Sequence, residues 1–312
     1  MEMVKFAAIL PVGPGQPEVD RAADTLNSLW AYEPTLGWVV LVDDARQDRQ
    51  LGQRFDPPPG CRVTSIINPR RGKGVGWSGG LCAATLAALK WVHQHTDASF
   101  VLKLDTDALV IAPFAEKIRR AFDEMPEVGM FGSYDRTCNG EARDFSRWGC
   151  VMRKFSGPIA IWLREIKKTD KPFQQNLWGR PARIRRIIKD ALKNGYAYGQ
   201  HCLGGAYVIS AEMLRRMDRD GLLDDPLLWL HTPVGEDVMM GVYTKAVGLE
   251  MRSLVEQGEP FGLKFNGLPD TPERLLSRGY SLIHSVKNDA HFSESEIRGF
   301  YREIRAGLSS LS

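Results

Sequence analysis

The sequence predicts an α/β fold: a mostly parallel, Rossmann-like sheet flanked by helices and carrying a basic helical insertion. Three observations predict it. Continuous apolar strand runs alternate with helix-period segments over the first hundred residues, as expected of a sheet covered on both faces. Acidic or glycine-rich segments follow those runs, at the carboxyl edge where open parallel sheets bind ligands. Residues 151–200 hold 12 Lys or Arg against three acids, a local balance of +9, while the remainder is −6. That segment therefore has a composition of its own.

Phe6–Val12 is an apolar run closed by Gly13-Pro14-Gly15, a first strand and its turn. Residues 19–32 follow as a helix with Leu26, Leu29 and Trp30 on one side. Residues 38–42 form a second strand ending in Asp43-Asp44, and residues 63–67 a third. A glycine-rich loop, residues 70–80, then leads into an Ala/Leu-rich helix over 81–95. Residues 101–110 read as one continuous fourth strand. Residues i and i+2 of a strand share a face. Asp105 and Asp107 would therefore project together from an otherwise apolar run.

Residues 145–197 read as the helical insertion. Ile159, Trp162, Leu163 and Ile166 have helical spacing, as do Ile184, Ile187, Ile188 and Leu192. Arg183, Arg185, Arg186, Lys189 and Lys193 fill the opposite face of the second helix, which Gly195 would stop. The sheet pattern resumes at residues 204–209, a glycine-led strand, with Ser210 as N-cap of a helix to Met217. Gly235-Glu236-Asp237 opens another helix that ends at Gly248, and residues 280–283 lead into His284. The organisation expected is a single domain over 1–312. Its two sheet-forming halves are 1–144 and 198–312, on either side of the insertion.

A chain of 312 residues with 43% hydrophobic and 25% charged content can bury a full core. No apolar run approaches the ~20 residues of a membrane span, and the N-terminus reads as a first strand, not a signal peptide. Five cysteines without a Cys-x-x-Cys spacing argue against a zinc cage or a disulfide framework. The expected location is the cytoplasm, with peripheral contact at the inner face of a membrane.

Two carboxylates in an apolar run are costly to bury unless paired or bound to metal. Hard divalent cations take such oxygens and take phosphate oxygens in turn. Asp105-x-Asp107 is therefore read as a metal and diphosphate site. Asp43-Asp44 is either turn chemistry or a contact to a nucleotide. The loop Arg70-Arg71-Gly72-Lys73-Gly74-Val75-Gly76-Trp77-Ser78-Gly79-Gly80 combines cations with the N–H groups of a helix start, an anion cradle. Its Gly-x-Gly-x-x-Gly pattern follows the third strand and not the first, which disfavours a dinucleotide site.

Acids opening a helix, as Glu236 and Asp237 do, are favoured by the macrodipole alone; functionally they would supply a general base. His284 is either a satisfied structural residue or a third metal ligand, and Lys287 could neutralise phosphate. His201 and His291 are less well placed. The basic helices of 151–194 are solvated faces or a contact for an anionic membrane. Nucleic acid is not expected, because no module motif accompanies the cations and aromatics.

Taken in order, these pieces resemble GT-A-fold glycosyltransferases. The Val42-Asp43-Asp44 turn, the Asn68-Pro69-Arg70-Arg71-Gly72 stretch and Leu104-Asp105-Thr106-Asp107 are similar to the family 2 type. Gly204-Gly205-Ala206-Tyr207-Val208-Ile209-Ser210 and Gly235-Glu236-Asp237-Val238 are similar to fringe and β-1,3-galactosyltransferase enzymes. The resemblance covers roughly residues 5–150 and 200–290.

It implies a nucleoside-diphosphate sugar donor, a UDP-sugar first, held on Mn²⁺ or Mg²⁺, with 1–144 as the nucleotide-sugar-binding half and 198–312 as the acceptor and catalytic half. Asp107 would bind the metal, Asp105 metal or ribose, and His284 would complete the site. Asp43 or Asp44 would read the base, and Lys73 or Arg71 would face the nucleotide. Gly204 and Gly205 would let backbone approach donor or acceptor. Asp237, supported by Glu236, would be the base of an inverting transfer to a glycan, lipid-linked or small-molecule acceptor. The turn after Asp44 is Ala-Arg-Gln-Asp where that family has Gly-Ser. A sugar nucleotidyltransferase, a nicotinamide oxidoreductase and a catalytically idle nucleotide-sugar or glycan binder are the competing readings.

Overall fold

The computed structural model describes residues 5–158 and 179–309. Strands β1 (Phe6–Val12), β2 (Leu36–Asp43), β3 (Arg62–Ile67) and β4 (Phe100–Leu104) are joined by helices α1 (Gln16–Tyr32) and α2 (Leu81–His95). Next come β5 (Leu109–Val110), α3 (Ala115–Glu124), β6 (Val128–Gly132), α4 (Ser146–Ser156) and α5 (Gly179–Lys193). The chain continues through β7 (Ala206–Ser210), α6 (Ala211–Arg219), α7 (Glu236–Ala246) and β8 (Glu250–Ser253). It ends with β9 (Phe261–Leu263), α8 (Pro272–Ser277), β10 (Leu282–His284) and α9 (Glu294–Ser309).

Seven strands make one sheet in the order β3-β2-β1-β4-β7-β6-β8. It is mostly parallel; β7 alone runs against its neighbours β4 and β6. Successive side chains of β1 go to opposite faces, and both faces are apolar. Ala8 and Leu10 pack with Leu26 and Leu29 of α1, while Ala7 and Ile9 pack with Leu86 and Leu89 of α2. This is why the strands read as unbroken apolar runs. Ser210 caps α6 as its sequence position suggests, its Oγ accepting from the Met213 N–H at 3.1 Å.

The fourth strand departs from expectation. It stops at Leu104, and residues 105–107 form a turn in which the Ala108 N–H donates to the Asp105 carbonyl at 3.1 Å. Leu109–Val110 then joins a separate three-stranded sheet, β5-β10-β9, antiparallel to β10. Asp105 and Asp107 are therefore brought together by a turn between two sheets, not by one face of a strand. Ala108, Leu109, Val110 and Ile111 stay apolar because they are buried in the same core as α1. Thr25 Oγ of α1 bonds the carbonyls of Thr106 and Ala108 at 2.9 Å each. Apolar continuity reported burial, and strand continuity did not follow from it.

Within the basic segment, the expected helix around Ile159 to Ile166 lies outside the described residues. The second helix is present as α5. Ile184, Ile187 and Ile188 are buried in the core beneath α2 and α7, and α5 packs on α7. Part of its charge is engaged at home: Arg180 pairs with Asp225 at 3.1 Å, Lys193 with Asp190 at 3.1 Å, and Arg183 bonds the Gly221 carbonyl. Among the described residues no helix is long and apolar enough to cross a membrane.

Because Ile188 is fully buried while Lys189 is exposed, Ile188→Ala is expected to destabilise the protein by about 2–5 kcal/mol. Lys189→Ala should stay within about 0.5 kcal/mol. Urea unfolding midpoints check this, and equal midpoints would mean that α5 is not part of the core.

Candidate active site

The carboxyl ends of β1 to β4 open onto a groove of 490 Å³. Val12 and Gly13 come from the end of β1, Asp44 from β2, Asn68 and Arg70 from β3, and Asp105 and Asp107 from β4. Strand order thus sets the order of chemistry along the groove. The carboxylate pair is at one end, and the Asp44–Arg70 pair is two strands away.

Asp105, Asp107 and His284 each offer one ligand atom, all within 4.8 Å of one another. β10 delivers His284 from the small sheet, where the Val286 N–H bonds the Asp107 carbonyl at 2.9 Å. The His284 ring Nδ1 lies 2.8 Å from the Lys264 carbonyl. A carbonyl can only accept, so Nδ1 carries the proton and Nε2 faces the carboxylates, 3.4 Å from Asp107 Oδ1. Ser285 Oγ donates to Asp107 Oδ2 at 2.7 Å, and Lys287 Nζ lies 3.0 Å from the same oxygen.

Burial opposes charge on Asp107, but His284, Lys287 and Ser285 outweigh it and hold its pKa well below the carboxylate range. Burial likewise opposes the His284 imidazolium, and Asp107 overrides it, raising the pKa. Asp105 is raised, chiefly by burial and then by the charge of Asp107, against the pull of Lys103. Two carboxylates and one oriented imidazole, with second partners on each, fit a divalent cation. A Cβ on Gly205 would lie 2.2 Å from His284 Cγ. The absent side chain at 205 is thus the space that the imidazole fills, not an approach route for ligand.

Beneath Asp105 lies a residue that the sequence reading passed over. Lys103 is fully buried in β4. Its Nζ lies 2.6 Å from Asp105 Oδ1 and 3.0 Å from Glu236 Oε1, and it donates to the Gly204 carbonyl. The signal was available: a lone cation within Phe100-Val101-Leu102-Lys103-Leu104 must be buried with its strand and must find anions. Glu236 is buried at the start of α7, and burial pushes its pKa up to about 7 despite Lys103, with Asp237 and Asp105 adding to the rise.

Asp237 stands beside it, half-buried. Its Oδ1 accepts the Val238 N–H at 2.8 Å, and Oδ2 lies 3.6 Å from His201 Nε2. That nitrogen also lies 2.9 Å from Arg143 Nη2, and His201 Nδ1 lies 2.7 Å from the Gly199 carbonyl. A guanidinium only donates, so His201 is neutral, in accord with a pKa lowered by burial. His201, set aside from sequence, therefore sits next to the candidate base.

No protein-family model matches the sequence, and no curated protein matches it. Solved structures do. The chain superposes on the bifunctional glycosyltransferase WbbM in its apo form with a TM-score of 0.51 and 12% identity, covering 97% of this chain and 50% of that one. The fold is of the GT-A glycosyltransferase type. The chain spans about half the length of WbbM, and at 12% identity the likeness concerns the fold. The galactosyltransferase LgtC, in complex with donor and acceptor sugar analogs, gives a TM-score of 0.47 at 12% identity over 97% of this chain and 96% of that chain. The Mn/GDP form of core-mannan synthase A from Aspergillus fumigatus gives 0.42 at 9% identity, over 79% and 72%.

The remaining sequence candidates separate. Asp43 is fully buried. Arg49 Nη2 bonds it at 2.6 Å and the Ala45 N–H at 2.9 Å; together they outweigh burial and lower its pKa. It shapes the turn. Asp44 faces the groove, and its Oδ1 accepts from Asn68 Nδ2 at 2.8 Å and Arg70 Nε at 2.6 Å. Arg71 and Lys73 are exposed and do not line the groove, whereas Arg70 does. A Cβ on Gly204 would come within 3.2 Å of Glu236 Oε2 and 3.3 Å of Asp237 Oδ2. That glycine is therefore the contact between the turn leading into β7 and the acids of α7.

Metal binding at this trio requires neutral His284. With its pKa raised above 6.5, Mn²⁺ affinity is expected to climb as pH rises through that raised value. The His284–Asp107 ion pair makes the opposite contribution in the metal-free protein: full below the unfolded pKa and lost over the same rise. Mn²⁺ titrations at several pH values check the metal side, and the histidine-linked part of the slope should vanish in His284→Ala. Gly205→Ala, which evicts the ring, is expected to weaken Mn²⁺ at least about tenfold.

Proposed function

We propose that this protein is a metal-dependent glycosyltransferase. It moves a sugar from a nucleoside-diphosphate sugar, a UDP-sugar in the first instance, to a hydroxyl of a glycan, lipid-linked or small-molecule acceptor, with inversion. One observation carries the reading. The Asp105–Asp107–His284 trio and the acid pair Glu236–Asp237 meet across two consecutive glycines, Gly204 and Gly205. This juxtaposition supports a reading in which a diphosphate site and a general base share one edge of the sheet.

Mn²⁺ at the trio would act as a Lewis acid toward the diphosphate; one imidazole in the set favours it over Mg²⁺. Lys287, next to Asp107, is placed to balance charge on a phosphate that leaves. An acceptor hydroxyl is a poor nucleophile until its proton is taken. In the reading proposed, Asp237 accepts that proton as the acceptor oxygen bonds to the anomeric carbon. The bond from that carbon to the diphosphate breaks, and its electron pair leaves with the nucleotide. Lys103 and Gly204 hold Glu236 beside Asp105, which supports a fixed distance between the two halves.

Thermal stability in the presence of UDP, GDP, CDP or NAD⁺, each with and without Mn²⁺, tests the donor class. A Mn²⁺-dependent shift with one nucleoside diphosphate is expected, and it should disappear in Asp107→Ala. A metal-independent shift with NAD⁺ alone would sink the reading. Asp237→Asn is expected to lower kcat about 100- to 10,000-fold while leaving nucleotide binding within about threefold. Full turnover in that variant would remove Asp237 as base. The anomeric configuration of the product, read by NMR, decides inversion separately: retention would overturn that part and leave transfer standing.

A further inference from the structure

Two large hydrophobic side chains are exposed among the described residues: Phe265 at 72% and Trp77 at 66%. Trp77 is the one that lines the groove. It does not sit on a loose tip. It belongs to the π-helical turn Gly76–Gly80 that leads into α2. Ser78, Gly79 and Gly80 on its far side are buried, and a Cβ on Gly79 would lie 2.1 Å from the Leu230 carbonyl oxygen. On its near side, the Cβ position of Gly76 lies 3.3 Å from Arg70 Nη2 and 3.9 Å from Asp44 Oδ2. The turn is thus clamped on both sides, and its backbone presses against the Asp44–Arg70 pair. Among the described residues no aromatic ring stacks on Trp77. Among the described residues, then, a flat apolar side chain, two-thirds exposed, borders the groove from a fixed backbone.

The spacing of the groove says what could cover it. Only β1 separates the ends of β2 and β4, about 10 Å at the spacing of neighbouring strands. A ligand whose phosphates lie at Asp107 and Lys287 would extend its remaining part toward Asp44 and Trp77. Asp44 presents an acceptor edge there, fixed by Asn68 and Arg70. Trp77 presents a π-face. An edge acceptor beside an aromatic face is the chemistry that takes a planar heterocycle carrying hydroxyl or N–H donors.

We infer that Trp77 is the stacking platform for the nucleobase of the donor. This rests on the reading of the groove as a nucleoside-diphosphate site, and it adds that the Trp77 indole supplies a large share of nucleotide affinity without touching the diphosphate. The platform is indifferent to base identity, because every base has a π-face; discrimination falls to Asp44 and the groove walls.

Calorimetric titration of the whole chain with UDP, GDP and inorganic pyrophosphate, each with Mn²⁺, tests the inference. Wild type, Trp77→Ala and Trp77→Phe are compared. Trp77 is exposed, so both variants are expected to fold, and their melting curves check this. Trp77→Ala should weaken the tighter nucleoside diphosphate about tenfold and leave pyrophosphate within about twofold, with Trp77→Phe recovering most of the loss. Quenching of tryptophan fluorescence by that nucleotide should fall in Trp77→Phe while binding persists.

Equal nucleotide affinity in Trp77→Ala would overturn the inference and leave the nucleotide site intact. Parallel loss of nucleotide and pyrophosphate would overturn it by showing that Trp77 acts on the phosphate end. Absence of any nucleoside-diphosphate binding by wild type would overturn both this inference and the reading beneath it.

Discussion

Lys103 puts one ammonium beneath three oxygen acceptors, and the site is arranged around it. A buried charge costs several kcal/mol unless partners replace its water. Asp105, Glu236 and the Gly204 carbonyl provide that replacement from three separate segments: the end of β4, the start of α7 and the strand entry into β7. The carboxylates need the lysine equally. Without it, half-buried Asp105 and buried Glu236 would be two acids whose mutual repulsion adds to their desolvation, which is the direction both their pKa values already take. The same contact that satisfies the lysine fixes where α7 begins, and Asp237 is the next residue on that helix.

The second constraint is the junction of the two sheets. β4 ends at Leu104 and β5 begins at Leu109, and the turn between them carries both aspartates. β10 pairs with β5 and so arrives with His284 and Ser285 against Asp107. Gly205 leaves room for the imidazole, and Gly204 leaves room for the acids of α7. Consecutive glycines let the turn into β7 pass between the Asp105–Asp107–His284 trio and a carboxylate pair with no side chain in the way. Rigidity of this kind places groups at fixed distances before any ligand arrives, which is how a polar site acts without reorganising.

Much of the fold was legible because a doubly covered sheet writes itself as continuous apolar strands between helix-period segments. β1, β2 and β3, and α2 between its glycine-rich start and His95, followed from that pattern. The fourth strand did not, since burial in one sheet and burial in the next look identical in sequence. At the site, the aspartate pair, His284 and the Glu236–Asp237 helix start were legible as residue types in plausible places. His201 is recognised only by what surrounds it, whereas Lys103 was legible as a lone cation in an apolar strand and only its partners, Glu236 and the Gly204 carbonyl, needed the fold. Arg71 and Lys73 were chosen over Arg70 for a similar reason: three neighbouring cations in a loop are equivalent until the backbone decides which one turns inward.

By itself the sequence determined the layer architecture, the edge of the sheet where chemistry collects, and the acids and imidazole available there. Those are consequences of period, polarity and ligand chemistry, all of them local. Only the tertiary structure decided that a turn and not a strand face pairs Asp105 with Asp107, that Gly205 serves His284, that Asp43 is spent on Arg49 while Asp44 faces the groove, and that one lysine joins the two halves. The Gly205–His284 and Lys103–Glu236 contacts join segments far apart in the chain, and the Asp105–Asp107 turn and the Asp43–Arg49 pair, though local in sequence, are held by how those segments pack. Such contacts depend on register and close packing, to which a residue's own neighbours in sequence contribute almost nothing.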